Sequence, residues 1–66
     1  MSISERLKLL RDQKSMSQAR LSVVSGVAQS VISDIETGKT TSPRVSTLNL
    51  LTNALDCAVD DLLKEG

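Results

Sequence analysis

The sequence predicts an all-α fold in which five short helices form one small domain. Apolar residues recur three or four positions apart rather than at every second position, which is the spacing of a buried helix face. The chain contains no Phe, Trp or Tyr, so its core must be aliphatic, and it has few of the β-branched runs that favour strands. Capping residues and glycines divide the 66 residues into segments of helix length.

The first helix is predicted to begin after Ser2. The segment SISE at 2–5 has the Ser-x-x-Glu form of a capping box, in which each residue's side chain accepts a hydrogen bond from the other's backbone N–H group. Ile3, Leu7 and Leu10 then follow at helical spacing and define the face that we expect to be buried. The polar segment DQKSM is expected to end this helix.

The next two helices are predicted to form a helix-turn-helix. Ser17 is a suitable N-cap for the segment QARLSVVS, and Gly26 is expected to end that helix in the left-handed conformation that glycine readily adopts. Only about two residues separate Gly26 from a third helix over about 29–37, which ends at Gly38. Two short helices joined this tightly must cross steeply.

The third helix has two opposite faces. When its residues are projected at helical spacing, Val31, Ile32 and Ile35 fall together on an apolar face. Asp34 lies at the margin of the polar face, next to Val31. The polar face itself consists of small or uncharged residues: Gln29, Ser30, Ser33 and Thr37.

The remainder of the chain predicts a loop and two more helices. The segment KTTSP at 39–43 is a loop by its Thr, Ser and Pro content. A fourth helix is expected over about 46–55, ended by Asp56, with three leucines facing inward: Leu48, Leu51 and Leu55. A fifth helix is expected over about 59–64 and carries Leu62 and Leu63.

The formal net charge is zero, but the charges are unevenly placed. Residues 1–55 hold seven Lys or Arg and four Asp or Glu, a net charge of +3. Residues 56–66 hold one Lys and four acids, a net charge of −3. A neutral chain with this asymmetry can still present a positive face to a partner.

Composition excludes several classes of site. The chain has no His and one cysteine, Cys57, so an internal disulfide, a Cys/His zinc site and His-based catalysis are ruled out. Asp60 and Asp61 are adjacent, so on a helix they point apart rather than forming a catalytic pair. We therefore expect no enzyme, no metal, no cofactor and no small-molecule ligand.

Localisation is predicted from the same composition. No apolar run approaches the ~20 residues that span a bilayer, and the N-terminus lacks the apolar region of a signal peptide. The free thiol of Cys57 fits a reducing compartment. We expect a cytoplasmic protein that forms a single domain over 1–66.

Much of the chain resembles the Xre-type helix-turn-helix domain of lambdoid phage repressors and Cro proteins. The resemblance lies in residues 17–38, SQARLSVVSGVAQSVISDIETG, and in Pro43 and the segment LNLLTNALDCAVDDLL that follow them. The similarity covers nearly the whole chain. The residues in register with the family's motif are Gln18, Leu21, Ser22, Gly26, Val27, Ile32, Ile35, Glu36 and Gly38. The resemblance implies a compact five-helix, lambda-repressor-like fold. It also implies a transcriptional regulator, expected to be a repressor, that binds a double-stranded DNA operator as a homodimer.

The resemblance assigns base contacts to the third helix, whose beginning enters the major groove in this family. Gln29 and Ser30 lie at that beginning, and Ser33 faces the same side one turn later. Gln can pair with adenine, and Ser can bond either type of base edge. Asp34 has three open interpretations: a reader of cytosine N4, a solvated residue that limits non-specific binding, or part of a surface facing another protein.

Contacts to the DNA backbone are expected from the second helix and from the loop after the third. Gln18 begins the second helix, where free N–H groups suit a phosphate. Arg20 is either a phosphate contact or a solvated charge, and Arg44 is placed to reach into a narrow minor groove. The full expected set is Gln18, Arg20, Lys39, Thr41, Ser42 and Arg44.

Other positions are expected to serve the fold. In the family, an Arg late in the first helix and a Glu late in the third form an internal ion pair, which implies a pair between Arg11 and Glu36 here. Ser22 must be small because the helices approach there, and Cys57 is expected to fill the core. The pair Val23 and Val24 belongs either to a partial core or to an interface.

Two cap positions depart from the family pattern. Ala28 stands where the family usually has a Ser or Thr that caps the third helix, and Ala58 lacks the same cap at the fifth. Together with Asp34 and the neutral net charge, Ala28 favours a protein-interaction module on the same fold, similar to an antirepressor or an antitoxin, that does not bind DNA. We expect DNA binding and keep this module as the alternative.

Overall fold

The computed structural model describes residues 2–63, which fold into five helices. Helix α1 spans Ile3–Gln13, α2 spans Gln18–Ser25, α3 spans Gln29–Glu36, α4 spans Val45–Ala54 and α5 spans Val59–Leu63. No strand occurs within these residues, and the predicted all-α fold is confirmed. Helix α4 begins and ends one residue earlier than predicted, and α3 ends one residue earlier. The predicted end of the fifth helix at residue 64 lies outside the described residues.

Local hydrogen bonds explain where the first two helices begin. The Glu5 backbone N–H donates to Ser2 Oγ over 3.3 Å, and the Ser2 N–H donates to Glu5 Oε1 over 3.4 Å, so the capping box is complete. Ser17 Oγ accepts from the Arg20 N–H at 3.0 Å. Gly26 ends α2 with φ of +78°. Nothing lies within 4 Å of a Cβ built there, so backbone conformation, and not space, requires glycine.

One aliphatic core joins all five helices. Leu21 of α2 is buried together with Ile32 and Ile35 of α3, and the three leucines predicted to face inward from the fourth helix are buried with them. Cys57 packs against this core as a half-buried side chain. The buried cluster consists of Leu7, Leu21, Val27, Ile32, Ile35, Leu48, Leu51, Leu55 and Leu62.

Two valines of α2 stay outside the core. Val23 is 76% exposed and Val24 is 45% exposed. The interpretation of this pair as a partial core is wrong, because α3 and α4 pack on α2 from the side of Leu21 and Ser25 and leave the valines uncovered.

Serine side chains fix the turn between α2 and α3. Ser22 Oγ donates to the Val27 carbonyl over 2.6 Å, and Ser25 Oγ accepts from the Val27 N–H at 3.1 Å. Val27 itself is buried. Ser22 is therefore more than a small residue at a close approach, because its hydroxyl satisfies a turn carbonyl that the helices do not.

A nearly buried ion pair ties α1 to the end of α3. Arg11 Nε donates to Glu36 Oε2 over 2.8 Å and Arg11 Nη2 donates to Oε1 over 2.9 Å. Arg11 Nη1 also donates to the Met16 carbonyl over 2.7 Å, and Gln18 Nε2 donates to Glu36 Oε1 over 3.2 Å. The Arg11 side chain is 12% exposed and that of Glu36 is 3% exposed. One carboxylate thus joins α1, α2 and α3.

The ion pair shifts the protonation equilibria of both partners. Burial by itself would raise the pKa of Glu36, but the hydrogen bonds from Arg11 and Gln18 outweigh it, so the pKa lies below the ordinary value of 4.5. The hydrogen bond to Glu36 raises the pKa of Arg11. Both groups are charged at neutral pH and compensate each other.

A side-chain contact that the sequence does not reveal holds α5. Arg6 Nε donates to the Asp61 carbonyl over 2.8 Å, which links α1 to α5. The Ala58 N–H donates to the Asp61 carboxylate over 3.0 Å. An acid in the first turn therefore takes over part of the cap that Ala58 lacks.

Replacing Glu36 by Gln should lower the free energy of unfolding by about 3 kcal/mol, because Arg11 would keep its charge in a nearly buried position without a counter-charge. Urea denaturation measures the loss. The matched control is Asp12→Asn. The Asp12 carboxylate lies 3.7 Å from the same guanidinium, but its side chain is 67% exposed. Its loss should therefore lower the free energy of unfolding by no more than about 1 kcal/mol. Equal losses in the two variants would contradict the structural role of Glu36.

The stability difference between the wild-type chain and Glu36→Gln should depend on pH. Because folding lowers the pKa of Glu36, its carboxylate contributes stability fully above the unfolded-state pKa. That contribution is lost as pH falls through the glutamate range toward the lower folded-state pKa. Urea denaturation from pH 7 downward should show the two proteins converging below pH 4.5. A constant difference down to strongly acidic pH would contradict this assignment.

Candidate nucleic-acid interface

The outer face of α3 carries four polar side chains that the fold leaves unengaged. Gln29 and Ser30 are exposed, and Ser33 and Asp34 are half-buried. Within residues 2–63, none of these four side chains takes part in a hydrogen bond or an ion pair. The opposite face of α3 is fixed by Ile32 and Ile35, which are 0% and 1% exposed. The helix therefore presents amide, hydroxyl and carboxylate groups on a rigid support.

The beginning of α3 has no side-chain cap. Ala28 occupies the N-cap position, with φ of −58° and ψ of 139°, and makes no side-chain hydrogen bond. Its carbonyl accepts from the Val31 and Ile32 N–H groups at 3.0 and 3.2 Å. The N–H groups of Gln29 and Ser30 are the first of the helix and have no carbonyl acceptor within it. They point outward at the positive end of the helix dipole, where acceptors and anions bind favourably.

The loop between α3 and α4 brings cations beside this helix. Lys39, Thr41, Ser42 and Arg44 are all exposed. The loop is attached to α3 through the Asp34 carbonyl, which accepts from the Thr40 N–H at 3.0 Å and from Thr37 Oγ1 at 3.3 Å. Arg44 precedes α4 as its N-cap residue, with no side-chain capping bond. The four expected loop residues thus lie exposed on one segment.

Val31 differs from its prediction. It was expected on the apolar face of α3, yet it is 37% exposed. It lines a surface groove between α3 and the start of α4 together with Thr40, Ser42, Pro43, Arg44 and Thr47. The loop passes beside Val31 without covering it. A signal was present in the sequence, because Val31 lies at the edge of the apolar face, next to Asp34.

The start of α2 provides two further residues of the expected set. Gln18 is half-buried, and one of its amide hydrogens is used in the bond to Glu36, which leaves the other available. Arg20 is exposed, and within the described part of the chain its guanidinium has no acidic partner. The structure thus places Gln18 between the ion pair and the surface, and Arg20 on the surface.

The charge of this region is positive once the internal pair is set aside. Glu36 is nearly buried against Arg11, so it contributes little field outside the protein. The charges that remain are those of three cations, Arg20, Lys39 and Arg44, and one carboxylate, that of Asp34. A polyanion would meet three cations and several neutral donors. No helix within residues 2–63 is long and apolar enough to cross a membrane.

Comparisons with known proteins agree with this arrangement. A family model described as helix-turn-helix matches residues 7–62. The N-terminal DNA binding domain of SinR from Bacillus subtilis is 36% identical, with a TM-score of 0.91 over 96% of this chain and 91% of that one. SinR in complex with DNA, described as the master regulator for biofilm formation, is 35% identical, with a TM-score of 0.91 over 94% of this chain and 98% of that one.

The P22 c2 repressor protein in complex with a synthetic operator is 34% identical, with a TM-score of 0.86 over 97% of this chain and 96% of that one. Family match and structural similarity both extend over nearly the whole chain, including the turn at Gly26 and the uncovered face of α3. The chain therefore belongs to the Xre-type, lambda-repressor-like helix-turn-helix family.

Proposed function

We propose that this chain is a sequence-specific, double-stranded-DNA-binding transcriptional regulator that acts as a repressor, with α3 in the major groove of its operator. One observation carries the proposal. Helix α3 exposes unengaged polar side chains beside a loop with free cations, while its second acid, Glu36, is neutralised inside the fold. The family and fold are those of DNA-binding regulators rather than enzymes, and two of the similar structures hold DNA.

The side chains of α3 are suited to reading base edges. Gln29 can pair with adenine N6 and N7, and Ser30 and Ser33 can donate to or accept from several bases. Asp34 can only accept, so at a base edge it selects the amino group of cytosine. Asp34 is half-buried and its backbone carbonyl accepts a hydrogen bond from the loop, so this residue lies at the border between α3 and the loop.

The backbone contacts determine the salt dependence of binding. Arg20, Lys39 and Arg44 are the cations proposed to meet phosphates, and Gln18, Thr41 and Ser42 are neutral donors. Three neutralised phosphates give a slope of log affinity against log salt of only about −3 for each subunit. So few charges support a homodimer on a roughly palindromic operator, because two half-sites one helical turn apart double the contacts.

The proposal also covers the setting of the protein. We take residues 1–66 as one DNA-binding domain and the cytoplasm as its location, where Cys57 stays a free thiol. Burial is the main cause that raises the pKa of the Cys57 thiol, so the group is kept in its unreactive protonated form.

The alternative, a protein-interaction module without DNA binding, is not favoured. Its support was the neutral net charge, Asp34 and the missing cap at Ala28. The nearly buried pair of Arg11 and Glu36 removes one of the two acids of α3 from the surface. The missing cap leaves N–H groups at the start of α3 open to an acceptor, which suits nucleic acid as well as it suits a protein.

Duplex binding across a salt series tests the proposal. After a random-sequence DNA selection, the affinity for the selected duplex should fall with salt at a slope of about −3 per subunit and about −6 for a dimer. Arg44→Ala should weaken binding to all duplexes alike and make the slope shallower by about 1. The control Lys14→Ala, an exposed cation just after α1, should leave the slope unchanged. If no duplex is selected, or if affinity is independent of salt, the proposal fails.

The role of Asp34 can be separated from that of the loop. Asp34→Ala should change which base is preferred at one position of each half-site, with a loss of discrimination of about 1–3 kcal/mol and an unchanged salt slope. Repeating the selection with the variant measures this, and the exposed acid of α5 provides the control Asp60→Ala. An unchanged preference together with tighter binding to every duplex would show that Asp34 only repels phosphates.

A further inference from the structure

Val31 is an aliphatic side chain in an otherwise polar surface. Within the described part of the chain, α3 buries its two isoleucines but leaves more than a third of the Val31 side chain exposed to solvent. Its neighbours on the outer side of the helix are Ser30 and Asp34, both assigned to base contacts above. An exposed valine at this place serves neither the core nor a phosphate.

The groove beside Val31 lies between α3 and the loop that precedes α4. Its walls are formed by Val31 and Pro43, by the threonines Thr40 and Thr47, and by Ser42 and Arg44. Aliphatic groups and the side chain of Arg44 therefore line the same groove. Because Arg44 is a proposed phosphate contact, Val31 lies inside the area that DNA would cover.

We propose that Val31 recognises the 5-methyl group of a thymine in the major groove. The inference rests on the proposed function and names a base that the site selects. Among the groups that a base pair exposes in the major groove, the thymine methyl is the apolar one, and contact with an aliphatic side chain removes both from water. Asp34 follows Val31 by one helical turn, and its negative charge disfavours a phosphate on that side, which favours a base edge as the surface that Val31 meets.

The physical effect is a preference for thymine over bases that lack a methyl group. Cytosine, which is the other pyrimidine, has only a hydrogen where thymine carries its methyl group, and its neighbouring amino group would face an aliphatic side chain. Burial of one methyl group is worth roughly a fourfold change in affinity. Two half-sites of a homodimer would multiply this to roughly sixteenfold. A sugar carbon would give Val31 an apolar contact without any dependence on the base.

Deoxyuridine substitution tests the proposal, because deoxyuridine pairs like thymidine and lacks only the methyl group. Each thymine of the selected duplex is replaced in turn, and the dissociation constant is measured for the wild-type chain and for Val31→Ala. At one position per half-site, the wild-type chain should lose about fourfold in affinity. Val31→Ala, which removes the contact from both half-sites of a homodimer, should bind the original duplex roughly sixteenfold more weakly and lose little more on substitution.

The control is Val23→Ala, which truncates another exposed valine in the same way on α2. Its affinity ratio between the two duplexes should equal that of the wild-type chain. If no thymine is sensitive, or if the ratio in Val31→Ala equals that of the wild-type chain, Val31 does not read a methyl group, although duplex binding and the proposed function stand. If no duplex binds at all, the proposed function fails first and the inference fails with it.

Discussion

The contact between Arg11 and Glu36 determines how α3 is held in this protein. Glu36 is the last residue of α3, and its carboxylate receives hydrogen bonds from α1 through Arg11 and from α2 through Gln18. Arg11 also binds the Met16 carbonyl in the segment that joins those two helices. A single carboxylate thus sets the position of one end of α3 relative to the two helices before it. The other end, where Ala28 provides no cap, is left open.

This asymmetry matters because α3 is too short to be stable alone. Isolated helices of fewer than about 12 residues are marginal in water, so α3 depends on packing. Ile32 and Ile35 bury one face completely, the serine bonds at Val27 fix the preceding turn, and the ion pair fixes the end. What the fold does not use is the outer face and the first N–H groups. Rigid placement of unengaged polar groups is what base readout requires.

The neutral net charge and a DNA partner are compatible for the same structural reason. Of the acids in the first 55 residues, Glu5 completes the capping box of α1 and Glu36 is nearly buried against Arg11. Asp34 is the acid that remains on α3 at the surface. The cations Arg20, Lys39 and Arg44 stay exposed. Net charge therefore describes this chain poorly. The electrostatic field that a partner meets depends on where each charge lies on the surface and on whether an opposite charge neutralises it.

The sequence by itself determined the five helices to within one residue in the described part of the chain, the capping box at Ser2, the left-handed turn at Gly26 and most of the buried aliphatic set. These follow from local rules, because caps, glycine conformations and helical spacing act within a few residues. The chemical character of the site could be predicted as well, since the polar face of α3 and the loop that follows are contiguous in the chain. Assigning individual contacts needed the resemblance to a known family.

Only the tertiary structure decided which surfaces are covered and which polar groups meet. Helical spacing placed Val31 on an apolar face and left Val23 and Val24 open to two interpretations, and all three turned out to be exposed. The bonds from Gln18 to Glu36 and from Arg6 to the Asp61 carbonyl join residues 18 and 55 positions apart. Periodicity identifies the faces of one helix, but exposure depends on where the other helices pack, and that geometry exists only in the assembled fold.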